Sequence, residues 1–390
     1  MRIDVDKVRA ETPACRTVVH LNNAGAALPP LPVTDALTAH LALEAGIGGY
    51  EAADRQAGAV EGFYDSVAAL VGAGREEIAY VENATRAWDL AFYGLEFGPG
   101  ARVVTTSSEY ASNGIAFLQR GLEVEVLPDE PSGELSLAAL EASLRRGGVG
   151  LVAINYMPTH NGLVNPAAEV GRLTREHGVP YLLDACQAVG QVPVDVAELG
   201  CDFLSATGRK FMRGPRGTGF LYVRREVLGW HRPPFLDLLS AEWTSPGGYE
   251  MRGDARRYET WERYVAGQIA LGVAAEYARG LGMEAVWARV RELAAGLRER
   301  LAGIPGVQVL DRGAVRGAIV SFTVAGRDSG AVRLALREQG INVSATDIAH
   351  QRLDPFAVPS AVRASVHYYN TEEELDRLAA ALGELASSAR

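Results

Sequence analysis

Six short stretches of this 390-residue chain carry side chains whose types and spacing suit chemistry on a small charged molecule. The first is Ser205-Ala206-Thr207-Gly208-Arg209-Lys210-Phe211, followed by Gly214-Pro215-Arg216-Gly217-Thr218-Gly219. A lysine after a strand can form a Schiff base with an aldehyde cofactor when its amine is kept partly neutral, and Arg209 beside it can pair with a phosphate. The second is Asp184-Ala185-Cys186-Gln187, where an acid directly follows Tyr181-Leu182-Leu183. A buried carboxylate needs a cationic partner, and a protonated ring nitrogen is one. The plainer alternatives are a solvated basic turn for Lys210 and a helix cap for Asp184.

The other four are weaker when taken singly. Glu82-Asn83-Ala84-Thr85 opens a helix, where free N–H groups favour a phosphate or simply need a cap. In Ser107-Ser108-Glu109-Tyr110-Ala111-Ser112-Asn113, Tyr110 could lie flat on a cofactor ring or fill the core. Thr159, His160 and Asn161 form a polar loop after a strand and could reach a ligand above a sheet. Arg363 interrupts the apolar run of Val362-Arg363-Ala364-Ser365-Val366-His367; it needs a salt bridge or a substrate carboxylate that accepts its planar fork.

The elements that must position these residues read as α/β. Short, nearly unbroken apolar runs suggest strands at residues 102–106, 124–127, 150–155, 180–184, 203–205 and 219–223, covered on both faces. Between them, residues 137–146 and 167–177 have helical spacing. Strands alternating with helices predict a mostly parallel sheet. The pattern changes near Leu228: residues 229–262 are rich in Trp, Pro, Gly and Arg and show little periodicity. A long helical stretch from about Arg263 to Ala302, broken at Gly280-Leu281-Gly282, leads into shorter strands and two helices, the second capped by Thr371 and Glu374. This predicts a smaller α+β unit at the C-terminal end. The expected divisions are a segment 1–20 packed on the small domain, a large domain 21–262, and a linking helix with the small domain over 263–390.

Composition narrows the function. The net charge of −10 argues against a basic face for nucleic acid. No apolar stretch approaches the roughly 20 residues that cross a bilayer, so no membrane partner is expected. Residues Met1 to Glu11 alternate charged and apolar side chains, without the apolar run of a secretory signal. The three cysteines, Cys15, Cys186 and Cys201, have no metal-ligand spacing. They read as thiols of a cytoplasmic protein, and no metal site is expected.

Taken together and in this order, the six stretches resemble the class V aminotransferase and cysteine desulfurase family, from Leu21-Asn22-Asn23-Ala24-Gly25 to the end of the chain. Asp-Ala-x-Gln, then Ser-x-x-x-x-Lys and Gly-Pro-x-Gly-x-Gly, are its most specific marks. The resemblance implies pyridoxal 5′-phosphate (PLP) as cofactor and fold type I, with a mostly parallel seven-stranded sheet and a smaller C-terminal domain. It also implies a homodimer acting on a small amino acid. Carried over position by position, Lys210 binds the cofactor covalently, Asp184 faces the ring nitrogen and Gln187 the ring oxygen. Tyr110 stacks on the ring, where desulfurases usually have histidine. Ala84, Thr85, Thr207 and Arg209 surround the phosphate, and Thr159 lies near the ring oxygen. Arg363 grips the substrate carboxylate, with Asn23 nearby and His160 a further candidate. Thr260 would reach the neighbouring subunit's phosphate.

Two departures matter. Desulfurases carry a mobile cysteine before the carboxylate-binding arginine, and Ser344 to Val362 contains none. The texture of Pro158-Thr159-His160-Asn161-Gly162-Leu163-Val164-Asn165-Pro166 is similar to a subgroup with carbon–sulfur lyases of ergothioneine and lincosamide biosynthesis and isopenicillin N epimerase-like proteins. The expectation is therefore a secondary-metabolic lyase on an S-substituted cysteine or its sulfoxide, with Lys210 and Tyr110 moving protons. Decarboxylating oxidative deamination, epimerisation and transamination are the alternatives on the same scaffold.

Overall fold

The structure, a computed structural model, describes residues 3–387. Met1, Arg2 and residues 388–390, the outermost ends of the predicted first and last segments, lie outside the described residues.

Seven strands form the main sheet: β1 (Ile78–Val81), β2 (Arg102–Thr105), β3 (Glu123–Val126), β4 (Val149–Asn155), β5 (Tyr181–Asp184), β6 (Phe203–Thr207) and β7 (Gly219–Val223). Their order is β1-β7-β6-β5-β4-β2-β3, and only β7 runs antiparallel to its neighbours. The apolar runs are unbroken because both faces are covered. Leu182 and Phe203 pack with Trp88 and Phe92 of helix Ala84–Tyr93 on one side. Their chain neighbours Leu183 and Leu204 pack with Val170 and Leu173 of helix Ala167–His177 on the other. Alternation along a strand sends successive side chains to opposite faces, so each run feeds two cores. All the parallel strands end at one edge of the sheet. Register sets Asn155 beside Asp184 and Asp184 beside Ser205 there.

The second sheet is antiparallel: β8 (Val307–Val309), β9 (Ile319–Val324), β10 (Ser344–Asp347) and β11 (Ser360–Ser365), in the order β8-β9-β11-β10. Helices Met283–Ala302, Ser329–Glu338 and Glu372–Ser387 share its core, through Leu297, Leu336 and Leu378. The last of these carries the expected capping box: Glu374 N–H donates to Thr371 Oγ1 and Thr371 N–H to Glu374 Oε2. The N-terminal segment joins this unit. Val19–His20 pairs in parallel with Ile341–Asn342, and Val8, Val19 and Leu21 enter the same core.

Two parts differ from the expectation. The linking stretch breaks within the expected Gly280-Leu281-Gly282, but its two helices pack on different units. Ala270, Leu271, Ala274 and Ala275 of Val265–Leu281 lie in the core of the large sheet, whereas Met283–Ala302 serves the small one. The break falls at Gly282, whose φ of +81° suits a residue without Cβ. Residues 265–281, grouped in the expectation with the small domain, thus contribute to the core of the large sheet. The segment 229–262 contains a hairpin, Ala241–Ser245 with Gly248–Met251, whose side chains are largely exposed and hence show no buried-face period. Helices Leu31–Ile47, Gly49–Arg55 and Ala57–Val71 were not anticipated either.

Candidate active site

A cavity of about 400 Å³ opens where the parallel strands end. That is the size of a small-molecule site, at the edge where α/β sheets place their ligands. Asp184, Gln187, Thr207, Arg209 and Lys210 line it, and so do Ala84, Thr85, Tyr110 and Thr159. Nine residues from five separate stretches of sequence thus converge on one space.

Lys210 is buried, at 8% exposure, so it is no solvated turn. Its loop is held from two sides. Gly190, with φ +95°, lies so close to the chain after the lysine that a Cβ would fall 2.3 Å from the Phe211 carbonyl carbon. On the other side Arg213 takes φ +60°, a conformation that costs a non-glycine residue about 1–3 kcal/mol. Its guanidinium offsets this: Nε donates to Leu28 O (2.7 Å), Nη1 to Tyr368 Oη (2.7 Å) and Nη2 to Thr12 Oγ1 (2.6 Å). The lysine loop is therefore tied to the N-terminal segment and the small unit together.

Asp184 accepts from Cys186 N–H (2.9 Å) and Asn113 Nδ2 (3.4 Å), and no helix follows that it could cap. Burial pushes its carboxyl above the usual range, while Lys210 and the N–H donors work the other way. A cation at the cavity would relieve that strain. Gln187 donates through Nε2 to Ala24 O (3.2 Å) and Thr159 Oγ1 (2.9 Å), but its buried Oε1 has no partner. At the phosphate end, Asn83 caps helix Ala84–Tyr93 by accepting from Arg86 N–H (2.9 Å), which leaves the first N–H groups beside Ala84 and Thr85 facing the cavity wall. Tyr110 is 39% exposed and lines the cavity, so it is not a core tyrosine.

Arg363 sits in the middle of β11, paired with Ser321 and Ser344. Its Nη1 donates to Thr159 O (2.6 Å) and Thr159 Oγ1 (3.1 Å), and its Nε is buried without a partner. Among the described residues no carboxylate pairs with it, which removes the structural salt bridge as an explanation. Burial first, and then the nearby Arg209, bring the guanidinium down to about 10, so it stays charged at neutral pH. Thr159 thus links Gln187, beside the cavity, to an arginine with spare donor capacity. A buried acid, an orphaned acceptor, Lys210, two arginines and a helix N-terminus together fit a ligand with a ring cation, a hydroxyl and a phosphate, joined by a carboxylate-bearing substrate.

Besides Arg363, which meets the cavity through Thr159, three predicted residues do not line it. Asn23 is fully buried and spends its amide on Ser365 O (2.7 Å) and His20 O (3.3 Å), while its Oδ1 accepts from Tyr369 Oη. His160 faces a separate space of about 100 Å³, its Nε2 3.6 Å from Asp354 Oδ2. Thr260 lies on an exposed stretch, donating to Glu262 O (3.0 Å), beside another hollow lined by Glu82, Arg86 and Phe235.

The structure also adds residues that the sequence reading passed over. Asn155 and Asn113 line the cavity, and Cys186 forms part of its wall. Behind them Glu109 is buried, with its carboxyl pushed up to about 7 by burial and by the neighbouring Asp184. The signal was present: Glu109 and Asn113 are four apart across the first turn of a helix that follows a strand end.

The model of the aminotransferase class-V family matches residues 19–378. This chain belongs to that family. PLP is its cofactor. The chain is 32% identical to a cysteine desulfurase of Dickeya dadantii over 401 residues, covering 97% of this chain and 96% of that one. It is also 32% identical to a probable cysteine desulfurase of Halobacterium salinarum over 411 residues, covering 98% and 96%. Among solved structures, the apo cysteine desulfurase of Thermococcus onnurineus is similar over 100% of this chain and 99% of its own, with TM-score 0.91 and 26% identity. The cystine C–S lyase C-DES shares the fold, with TM-score 0.84 and 23% identity over 96% of this chain and 99% of its own. No helix among the described residues is long and apolar enough to cross a membrane.

Proposed function

We propose that this family member is a carbon–sulfur lyase that acts on an S-substituted L-cysteine or its sulfoxide by α,β-elimination. One observation carries the choice. The stretch from Ser344 to Val362, where desulfurases keep their mobile cysteine, forms β10, a short turn and a strap back to β11 with no thiol in it. Cys15 lies in the N-terminal segment and Cys201 is buried at the start of β6. Cys186 is fixed in the cavity wall, its thiol pushed up by burial. A reaction that ends when the sulfur leaves, without handing it to a protein thiol, fits this inventory.

Bound PLP supplies the electron sink for the bond broken at the substrate α-carbon. In this reading Asp184, as a carboxylate, holds the proton on the ring nitrogen. Arg209, Thr85, Thr207 and the opening of helix Ala84–Tyr93 take the phosphate. Arg363 binds the α-carboxylate through its free donor, which favours elimination over loss of CO2. Lys210 takes the α-proton. Tyr110, close enough to Arg363 to interact electrostatically, gives a proton to the departing sulfur. The three-carbon remainder is hydrolysed to pyruvate and ammonia.

Incubation with an S-alkyl-L-cysteine tests this directly: pyruvate and thiol are expected in equal amounts. CO2 with an aldehyde would overturn it in favour of decarboxylating deamination, and solvent deuterium at the α-carbon without elimination would point to an epimerase. Alanine formed from free cysteine, with sulfide released by an added dithiol reductant, would return the chain to desulfuration. The homodimer belongs to the same proposal. Trp243, Tyr249 and Trp261 are exposed in the region that holds Thr260, and a second copy covering them would bring that hydroxyl to its neighbour's site. Light scattering should give twice the chain mass; a single-chain mass at micromolar concentration would remove Thr260 from the site.

A further inference from the structure

Behind the cavity lies a second buried carboxyl that the reaction as described does not use. Glu109 Oε1 accepts from Tyr110 N–H (2.7 Å) and from Asn113 Nδ2 (2.9 Å), and its Oε2 lies 2.7 Å from Thr105 Oγ1. The same Asn113 nitrogen reaches Asp184 Oδ2 at 3.4 Å. One amide therefore bridges two carboxyls that are both removed from water. Two buried negative charges so close are costly, and the pair titrates as a unit.

We propose that Glu109 is a positioning residue for Asp184: it takes up the proton of the shared acid pair, so that the single negative charge rests on the carboxylate that faces the cofactor's ring nitrogen. This rests on the reading of Asp184 given above. The hydrogen-bond partners decide where the proton goes. Asp184 meets only N–H donors, from Cys186 and Asn113, so a proton placed between them would find no acceptor. Glu109 Oε2 meets a hydroxyl, and a threonine hydroxyl accepts as readily as it donates. Protonated Glu109 can thus keep its contact with Thr105 by reversing one hydrogen bond. The same carboxyl also fixes the backbone N–H of Tyr110, the residue proposed to stack on the ring. The charged groups that face the pair are each other and Lys210, which lies on the Asp184 side.

The linkage to pH has a definite sign. Folding raises the Glu109 carboxyl from its ordinary 4.5 to about 7, so the folded chain binds the extra proton. The associated stability is fully present below about pH 4.5 and is lost as pH rises through about 7. Glu109→Gln keeps the shape and the hydrogen bonds of the neutral acid but cannot ionise.

Carbon-13 NMR of the full chain, labelled at glutamate carboxyl carbons, provides the test. One buried resonance titrating near pH 7 should vanish in Glu109→Gln. Glu259, the other buried glutamate pushed up to about 7, is told apart because its titration survives. In Asp184→Asn the Glu109 titration should move towards the ordinary range, since the neighbouring charge is gone. Cofactor affinity should hold within about twofold in Glu109→Gln and fall about tenfold in Glu109→Ala, where three donors lose their acceptor. A Glu109 titration unmoved by Asp184→Asn, or full affinity in Glu109→Ala, would overturn the proposal. If instead Asp184→Asn shifts the titration yet leaves cofactor affinity intact, the acid pair stands and the ring-nitrogen assignment falls.

Discussion

Two walls of different make meet beside Thr159 at the cavity. The wall given by the large sheet consists of strand ends and the turns directly after them: Asp184, Thr207 and Lys210 are all buried, and neighbouring strands fix the first two in register. The second wall belongs to the small unit and meets the cavity through Arg363, which donates to the lining residue Thr159. Arg363 stands on a central strand, but the strap between β10 and β11 is half exposed. It faces the large unit at His160, 3.6 Å from Asp354, and by way of Arg312 of the β8–β9 loop, which lies 3.6 Å from Asp354 and 3.1 Å from Asp129 of the large unit. Chemistry common to a family belongs on the rigid wall, and discrimination between substrates on the adaptable one. The comparison predicts that substitutions on the sheet wall reduce turnover for every substrate, whereas those on the strap change which substrate is turned over.

The largest effect should come from Lys210→Ala. Loss of the proton-moving amine is expected to cut kcat by about 10³-fold or more for all amino acids tried, since positioned proton transfer contributes about 10²–10⁴-fold. Thermal unfolding should change little, because the loop is held by Gly190 and Arg213 rather than by the lysine. A loss confined to one substrate would break the division of labour between the walls.

Arg363→Ala should act mainly on KM. A charge-assisted hydrogen bond is worth about 1.5–3 kcal/mol, so saturation with substrate should require roughly tenfold to a hundredfold more. Arg363→Lys keeps the charge but loses the planar fork and should recover only part of the loss. Cofactor absorbance should be unaffected by either change. Unchanged saturation would show that the substrate carboxylate binds elsewhere.

The same contrast explains what the sequence made legible. Six strands of the large sheet could be read to within a residue or two, the central ones because burial on both faces leaves an apolar run with no competing pattern, as in Tyr181-Leu182-Leu183. Asp184 and Arg363 were legible because a charge at the end of or inside such a run needs a reason, whereas Lys210, in a polar turn, became legible through the order of the other motifs around it. Asn23 and His160 were not. Both are polar residues near the site in sequence, and only the fold shows that Asn23 ties the N-terminal segment to β11 and that His160 turns towards the strap. Glu109 was hidden by Tyr110, its more conspicuous neighbour; its role depends on an amide bridge to Asp184 across 75 residues of chain. The hairpin at 241–251 left no pattern because its side chains face outward.

The smallest expected effect is also the sharpest probe of the comparison. Asp354 is held by His160 on one side and Arg312 on the other, and these contacts, together with Phe356 N–H (2.8 Å), keep its carboxyl below the usual range, although burial opposes them. Asp354→Asn keeps the size of the side chain and its hydrogen bond to Phe356 N–H, but removes the charge that faces Arg312 and the His160 ring. Turnover of a small S-alkyl-L-cysteine should stay within about threefold, because nothing in the sheet wall has changed. The ratio of kcat/KM between a large and a small S-substituent should shift by about fivefold, close to 1 kcal/mol of differential binding at the strap. An equal loss for both substituents would mean that the strap serves the reaction itself. A wall that looks peripheral in its contacts would then be part of the catalytic frame, and the line between the two walls would have to be drawn beyond β10 and β11.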